Sequence, residues 1–136
     1  MKSAKLLREP VHGDIELPQE LWRICDTPQF QRLRGIKMLG TAYFAYPGAR
    51  HSRFEHSLGT CHLTSLLCRS IGVEPPLAVL AAALLHDVTH IPFGHTLEDE
   101  RRVFERHDHP KRFERYLPQG DLGRALRGLG LEEKVI

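Results

Sequence analysis

No stretch of this sequence stays apolar for the roughly 18–20 residues that a bilayer crossing requires. Its longest apolar run, residues 75–85, has the length of a buried helix. Behind the two lysines of the first ten residues there is no apolar core, so the start does not read as a secretory signal. Cysteine is scarce, with three residues and no CxxC spacing. Cys61 and Cys68 stand seven positions apart on what reads as one helix, which separates them by about 10 Å along its axis. A disulfide needs Cα atoms within about 7 Å. That pair is excluded, and free buried thiols suit a reducing cytoplasm, the expected location. A net charge of +2 is too small to argue for nucleic acid by itself. Internal repeats, linkers and low-complexity tracts are absent, and 136 residues suffice for one domain, 1–136. Apolar residues at 41% and charged residues at 26% fit a water-soluble globular chain.

Against these absences stands an excess of histidine, nine residues, of which all but His12 fall between positions 51 and 109. The pattern around them is helical. Residues 9–17 alternate after a Pro and a Gly, which predicts a short extended arm or hairpin. From Pro18 the period becomes that of a helix through Leu21, Trp22 and Cys25. Asp26-Thr27-Pro28 reads as a stop and a new start, with Thr27 as cap and Pro28 at the first helical position. Phe30, Leu33, Ile36 and Met38-Leu39 continue an apolar face up to Gly40. Ser52 predicts a cap for a helix from Arg53 to about Ser70, with Phe54, Leu58, Cys61, Leu66 and Cys68 among its apolar positions. Pro75-Pro76 opens the next helix, whose apolar run through Leu85 predicts the buried centre of the domain. Pro92 and Gly94 are expected to break it. Further helices are predicted near residues 96–106, 110–117 and 121–129. The fold class expected is all-α, a helical bundle with a short N-terminal extended element.

His86-Asp87 closes the most apolar helix. An isolated buried carboxylate is costly, so Asp87 must be paired or coordinated. A capped, hydrogen-bonded pair at a helix end would satisfy it as well as a ligand role does. Two neighbours tip the balance. His90 and His95 follow within HDVTHIPFGH, where Pro92 and Gly94 curve the backbone. Upstream, Arg53 and His56 share a helix face three residues apart. Two imidazoles and a carboxylate from two helices suit a divalent transition metal with open positions. An arginine one turn away suits a phosphate oxygen. His12 and His62 lack such company and read as core or surface histidines.

Four stretches carry a resemblance: REPVHGDIEL, DTPQFQRLRGIKMLG, YPGARHSRFEHSLG and LLHDVTHIPFGH, which lie in order between residues 8 and 95. They resemble the HD superfamily, in the branch of the deoxynucleoside triphosphate triphosphohydrolases and related bacterial HD phosphohydrolases. The resemblance implies an HD-domain bundle and a metal-dependent phosphohydrolase acting on a nucleotide, with a deoxynucleoside triphosphate as leading substrate. Water would attack at phosphorus and triphosphate would leave. His56, His86 and Asp87 match three of the family's four metal ligands, for one divalent ion among Fe, Mn, Zn, Ni and Mg. Arg53 matches an arginine that contacts substrate phosphate. His90 and His95 match histidines that line the phosphates and take part in acid–base work. His107-Asp108 sits roughly where the family has a His-Glu pair supporting catalysis. Homo-oligomers are common in the family.

Two positions depart from that pattern. The family's fourth ligand is an aspartate on a later helix, and Asp121 reads instead as a cap for its own helix. The expectation is therefore the N-terminal part of a longer enzyme, or alternatively a truncated HD module that binds nucleotide or a partner protein without turnover. Met38 stands where the family's deoxynucleotide-selective members typically carry a glutamine that reads the sugar hydroxyl. Nucleic acid and membrane are not expected as partners. Arg101, Arg102, Arg106, Lys111, Arg112 and Arg115 interleave with Glu98, Asp99, Glu100, Glu105 and Glu114, a pattern that reads as a solvated helix face.

Overall fold

The structure, a computed structural model, describes residues 5–135. It opens on a hairpin of β1 (Lys5–Glu9) and β2 (Gly13–Leu17), paired antiparallel from Lys5 opposite Leu17 to Glu9 opposite Gly13. The turn is tied by a buried carboxylate: Glu9 Oε2 accepts the backbone N–H groups of Val11 at 2.9 Å and His12 at 2.7 Å. Ile15 and Leu17 point from β2 into the core.

Apart from a single bridge between Lys37 and Ser52, the other regular elements among the described residues are helical. α1 (Gln19–Cys25) buries Leu21, Trp22, Ile24 and Cys25. Thr27 caps α2 (Pro28–Gln31) through the Phe30 N–H, with Pro28 in the first turn as the sequence predicts. The apolar face expected to run on to Gly40 stops earlier. After a 3-10 turn at Arg32–Gly35, Ile36 is extended. The Ile36 carbonyl accepts the Arg53 N–H at 2.9 Å, and Met38 N–H donates to His51 at 3.0 Å. These bonds to a distant segment take the groups that a helix would have used, and Leu39 is left exposed.

α3 (Arg53–Ser70) starts with a full capping box: Ser52 accepts from the Glu55 N–H, and the Glu55 side chain accepts from Ser52. Its first half is buried through Phe54, Leu58 and Cys61, whereas Leu66, expected inside, is exposed. α4 (Leu77–Leu85) follows Pro76 and packs on α3. Leu80, Ala81, Leu84 and Leu85 are buried and Val79 is exposed, so an all-apolar sequence still presents one face to solvent.

α4 ends at Leu85, ahead of Pro92, in tighter turns where Val88 N–H donates to Leu85 and His90 N–H to Asp87, and two arginines take the carbonyls that follow. Arg32 donates to Val88 at 2.5 Å and His90 at 2.7 Å, and Arg112 donates to Thr89 at 2.5 Å. The helix predicted over 96–106 is reduced to one π-helical turn at Thr96–Glu100. α5 (Pro110–Tyr116) and α6 (Gly120–Gly128) close the bundle, with Leu117, Leu122 and Leu126 in the core. Asp121 is not the cap of α6. Gln119 holds that position without a side-chain bond, and Asp121 pairs with Arg124 inside the helix. Among the described residues, no helix is long and apolar enough to cross a membrane. All three cysteines are free, Cys25 and Cys61 buried and Cys68 half-buried.

Candidate metal centre

The start of α3 and the end of α4 meet at one point. The capping box fixes the first turn of α3, and His56 lies one turn in on the face that meets α4. His86 caps the C-terminal end of α4, and its Nδ1 lies 2.8 Å from the Ala83 carbonyl. Nδ1–H therefore donates to that oxygen, which leaves a lone pair on Nε2. His86 Nε2 stands 3.1 Å from His56 Nε2. Two imidazoles cannot both donate across that gap. The gap fits either one ring donating to the other or two lone pairs on one cation, since bonds of about 2.0–2.1 Å put neighbouring ligand atoms on one ion roughly 3.0–3.4 Å apart. The Asp87 carboxylate is adjacent, 3.5 Å from His86 Nε2 through Oδ1 and 3.8 Å from His56 Nε2 through Oδ2. One ligand atom from each of the three lies within 4.8 Å of the others. A donor set of two imidazoles and a carboxylate fits a divalent transition cation.

Asp87 is nearly fully buried and its ring of neighbours is basic. Arg53, also buried, donates Nη1–H to Asp87 Oδ2 at 2.7 Å. His90 Nε2 and His107 Nε2 face Oδ1 at 3.6 and 3.8 Å. Burial alone would raise the Asp87 pKa, but His86 and the Arg53 guanidinium hold it below the usual carboxylate value. Burial pushes the His56 pKa down, with Asp87 opposing and His86 and Arg53 adding to the fall. Both shifts favour the states that bind a cation: an ionised carboxylate and a neutral imidazole.

A second group of histidines flanks this one. His90 is fully buried, stacked on His107 with ring centroids 3.6 Å apart. Burial, then Arg53 and His107, drive the His90 pKa down to about 3, so the ring is neutral. His107 Nδ1 lies 3.0 Å from Glu98 Oε2, and Glu98 is buried and held on its other oxygen by Arg112 at 2.9 Å. His95 is exposed, with Nδ1 3.0 Å from Asp99 Oδ2. His95 and Arg53 line a cavity of about 420 Å³ together with Met38, Leu39, Tyr46 and Phe93.

Of the residues singled out from sequence, His56, His86, Asp87, Arg53, His90 and His107 converge here, and His95 borders them. Arg53 is bound to the carboxylate, an ion pair the sequence reading does not contain. His90 is enclosed and does not reach the cavity wall. Asp108 is paired elsewhere: Arg106 holds both of its oxygens at 2.9 Å, on the surface, and keeps its pKa at about 2. The carboxylate that partners His107 is Glu98. The reading of residues 98–115 as a solvated charged face fails at Glu98 and Arg112. Neither stands out in sequence, because TLEDERR offers three adjacent acids and periodicity cannot say which one faces inward. His12 and His62 stand against each other, ring centroids 5.4 Å apart, and His12 lines a hollow with His51, Glu55 and His56.

The HD domain family matches residues 53–126. The chain is 48% identical over 103 residues to the deoxynucleoside triphosphate triphosphohydrolase SAMHD1 of Homo sapiens, an overlap covering 69% of this chain and 16% of that protein. It is 47% identical over 94 residues to an uncharacterized protein of Methanocaldococcus jannaschii, covering 69% of this chain and 21% of that protein. The crystal structure of a hypothetical protein from Aquifex aeolicus matches with a TM-score of 0.79 at 36% identity, covering 93% of this chain and 34% of that one. The chain thus spans 16% and 21% of the length of these two curated relatives.

Proposed function

The chain belongs to the HD domain family, and from that premise we propose that it is a metal-dependent phosphohydrolase acting on deoxynucleoside triphosphates, with tripolyphosphate as product. The observation that carries this reading is the pair of imidazole Nε2 atoms 3.1 Å apart beside Asp87, one of them fixed in tautomer by the Ala83 carbonyl. His56, His86 and Asp87 would hold the cation. When bound, such an ion polarises a phosphoryl oxygen and lowers the pKa of water towards neutrality. The relatives named as deoxynucleoside triphosphate triphosphohydrolases support the substrate class.

Each neighbouring side chain then has a task. Arg53 orients Asp87 through Oδ2, and as a residue lining the cavity it would be the cation that substrate phosphate meets. His107 donates Nδ1–H to Glu98, so Nε2 is the atom that accepts or returns a proton. The resulting imidazolium would be stabilised by the Glu98 carboxylate. His95, at the open edge, stabilises charge on phosphoryl oxygens through Nε2, with Asp99 fixing the opposite nitrogen. His90 acts from behind, packing against His107 and filling the space beside Asp87. The cavity extends from Arg53 and His95 to Met38, Leu39, Tyr46 and Phe93, an anionic-ligand end and an apolar end. Met38 has no hydrogen to give a sugar hydroxyl, so discrimination between ribose and deoxyribose does not come from this side chain.

The test is product analysis. The chelator-stripped chain is reloaded with one equivalent of Mn²⁺, Fe²⁺, Co²⁺ or Ni²⁺ and offered the four deoxynucleoside triphosphates and their ribose counterparts. Deoxynucleoside and tripolyphosphate in equal amounts support the reading. Absence of both with every metal, in a chain that binds the metal, refutes it.

A further inference from the structure

His90, His95 and His107 form a second cluster in which one ligand atom of each ring lies within 4.8 Å of the others. Their free nitrogens are decided by what holds the opposite side of each ring. Glu98 takes Nδ1–H of His107 and Asp99 takes Nδ1–H of His95. Both rings are therefore left with an Nε2 lone pair, in the carboxylate–histidine arrangement that orients metal ligands. His90 is fully buried, and neither of its ring nitrogens has a hydrogen-bond partner. A buried imidazole with two unused nitrogens costs free energy unless something binds it. Its Nε2 points at Asp87 Oδ1, 3.6 Å away, and His107 Nε2 is 3.8 Å from the same oxygen.

We propose that His90, His95 and His107, completed by Asp87 Oδ1, form a second and weaker site for a borderline-soft divalent cation such as Zn²⁺, and that filling it stops hydrolysis. Three imidazoles and a carboxylate oxygen suit Zn²⁺. The site is weaker for two reasons. Its atoms must draw together from up to 4.8 Å to the roughly 3.0–3.4 Å that one ion allows. His90 and His107 are stacked with their planes 21° apart, so their lone pairs run side by side and one of these rings must tilt before both face a single ion, whereas His95, with 57% of its side chain exposed, is free to swing. The two sites also share Asp87, so two cations repel each other across one carboxylate. Hydrolysis stops because the lone pairs assigned above to proton handling and phosphate contact are occupied. That loss of activity rests on the proposed function; the binding of the second cation does not.

The experiment titrates Zn²⁺ into the chelator-stripped 136-residue chain and counts equivalents by calorimetry and equilibrium dialysis. Wild type should bind two, the second at least tenfold more weakly. His95→Gln and His107→Gln should each bind one, with the first constant unchanged, and His62→Gln should still bind two. His56→Gln should lose the tighter site and keep the histidine cluster. In the chain loaded with one equivalent of Mn²⁺, rising Zn²⁺ should cut hydrolysis at least tenfold, with a midpoint at the second dissociation constant. A single equivalent at saturation in wild type, or two in both cluster variants, overturns the proposal. Two equivalents without hydrolysis under any loading would leave the second site standing and remove the proposed function instead.

Discussion

Replacing Arg53 by methionine leaves Asp87 buried with its strongest partner gone. The two side chains are 3% and 5% exposed and bonded at 2.7 Å, so water cannot substitute for the guanidinium. Breaking a buried ion pair by removing one partner costs about 3–5 kcal/mol, set against a total stability of roughly 5–15 kcal/mol for a domain. At about 3–5 °C per kcal/mol for a chain of this size, Tm should fall by roughly 10–20 °C. Calorimetry with a chelator present reads this directly. Two controls separate charge from packing. Asp87→Leu combined with Arg53→Met should recover most of the loss, because a buried pair replaced by apolar residues is near neutral. Adding Mn²⁺ should raise the Tm of Arg53→Met more than that of wild type, since the cation supplies the charge that Arg53 no longer does; about 2.7 kcal/mol is available at 100 times Kd. A variant that melts within about 2 °C of wild type in chelator, with no extra gain from metal, would refute the role given to the pair.

His56→Ala, His86→Ala and Asp87→Ala should each lose stoichiometric transition metal by elemental analysis, while His62→Ala should retain it. The chelator-stripped chain should lose stability on acidification. His90, with its folded pKa at about 3, stays neutral when folded but takes a proton when unfolded, so the unfolded state binds more protons below the ordinary value near 6.5. That loss should run at about 1.4 kcal/mol per pH unit below 6.5 until the folded pKa is reached, and His90→Gln should flatten it in denaturant melts at pH 7, 6 and 5. Burial pushes the thiols of Cys25 and Cys61 up to about 12. A thiol reagent at pH 8 should therefore modify one cysteine, Cys68, in the native chain and three in denaturant, and fast reaction of all three without denaturant would contradict the packing.

How far the sequence could be read depended on whether local rules decided the outcome. The Ser52 capping box, the Thr27-Pro28 start and the apolar run of α4 are local, and the helices begin where they indicate. His56, His86 and Asp87 meet because two such helices pack together. The misses come from contacts distant in sequence. Residues 36–40 leave the helix because Arg53 and His51 claim their backbone groups, a pairing that no helical period reveals. Arg32 and Arg112 grip the carbonyls after α4 from 56 and 23 positions away. Glu98 is inward-facing among three consecutive acids, and its partner His107 lies nine residues on, across an irregular loop. Arg53 was legible as a charge near the site, but its bond to Asp87 spans 34 positions.

The reading of this chain as a phosphohydrolase is tested most directly by following one deoxynucleoside triphosphate in ¹⁸O-labelled water with the Mn²⁺-loaded protein. Metal-dependent release of tripolyphosphate carrying the label, abolished in Asp87→Asn, is the predicted result, because water attack at phosphorus puts the new oxygen on the phosphate side. Label in the deoxynucleoside, or release that persists in Asp87→Asn and in chelator, would contradict it.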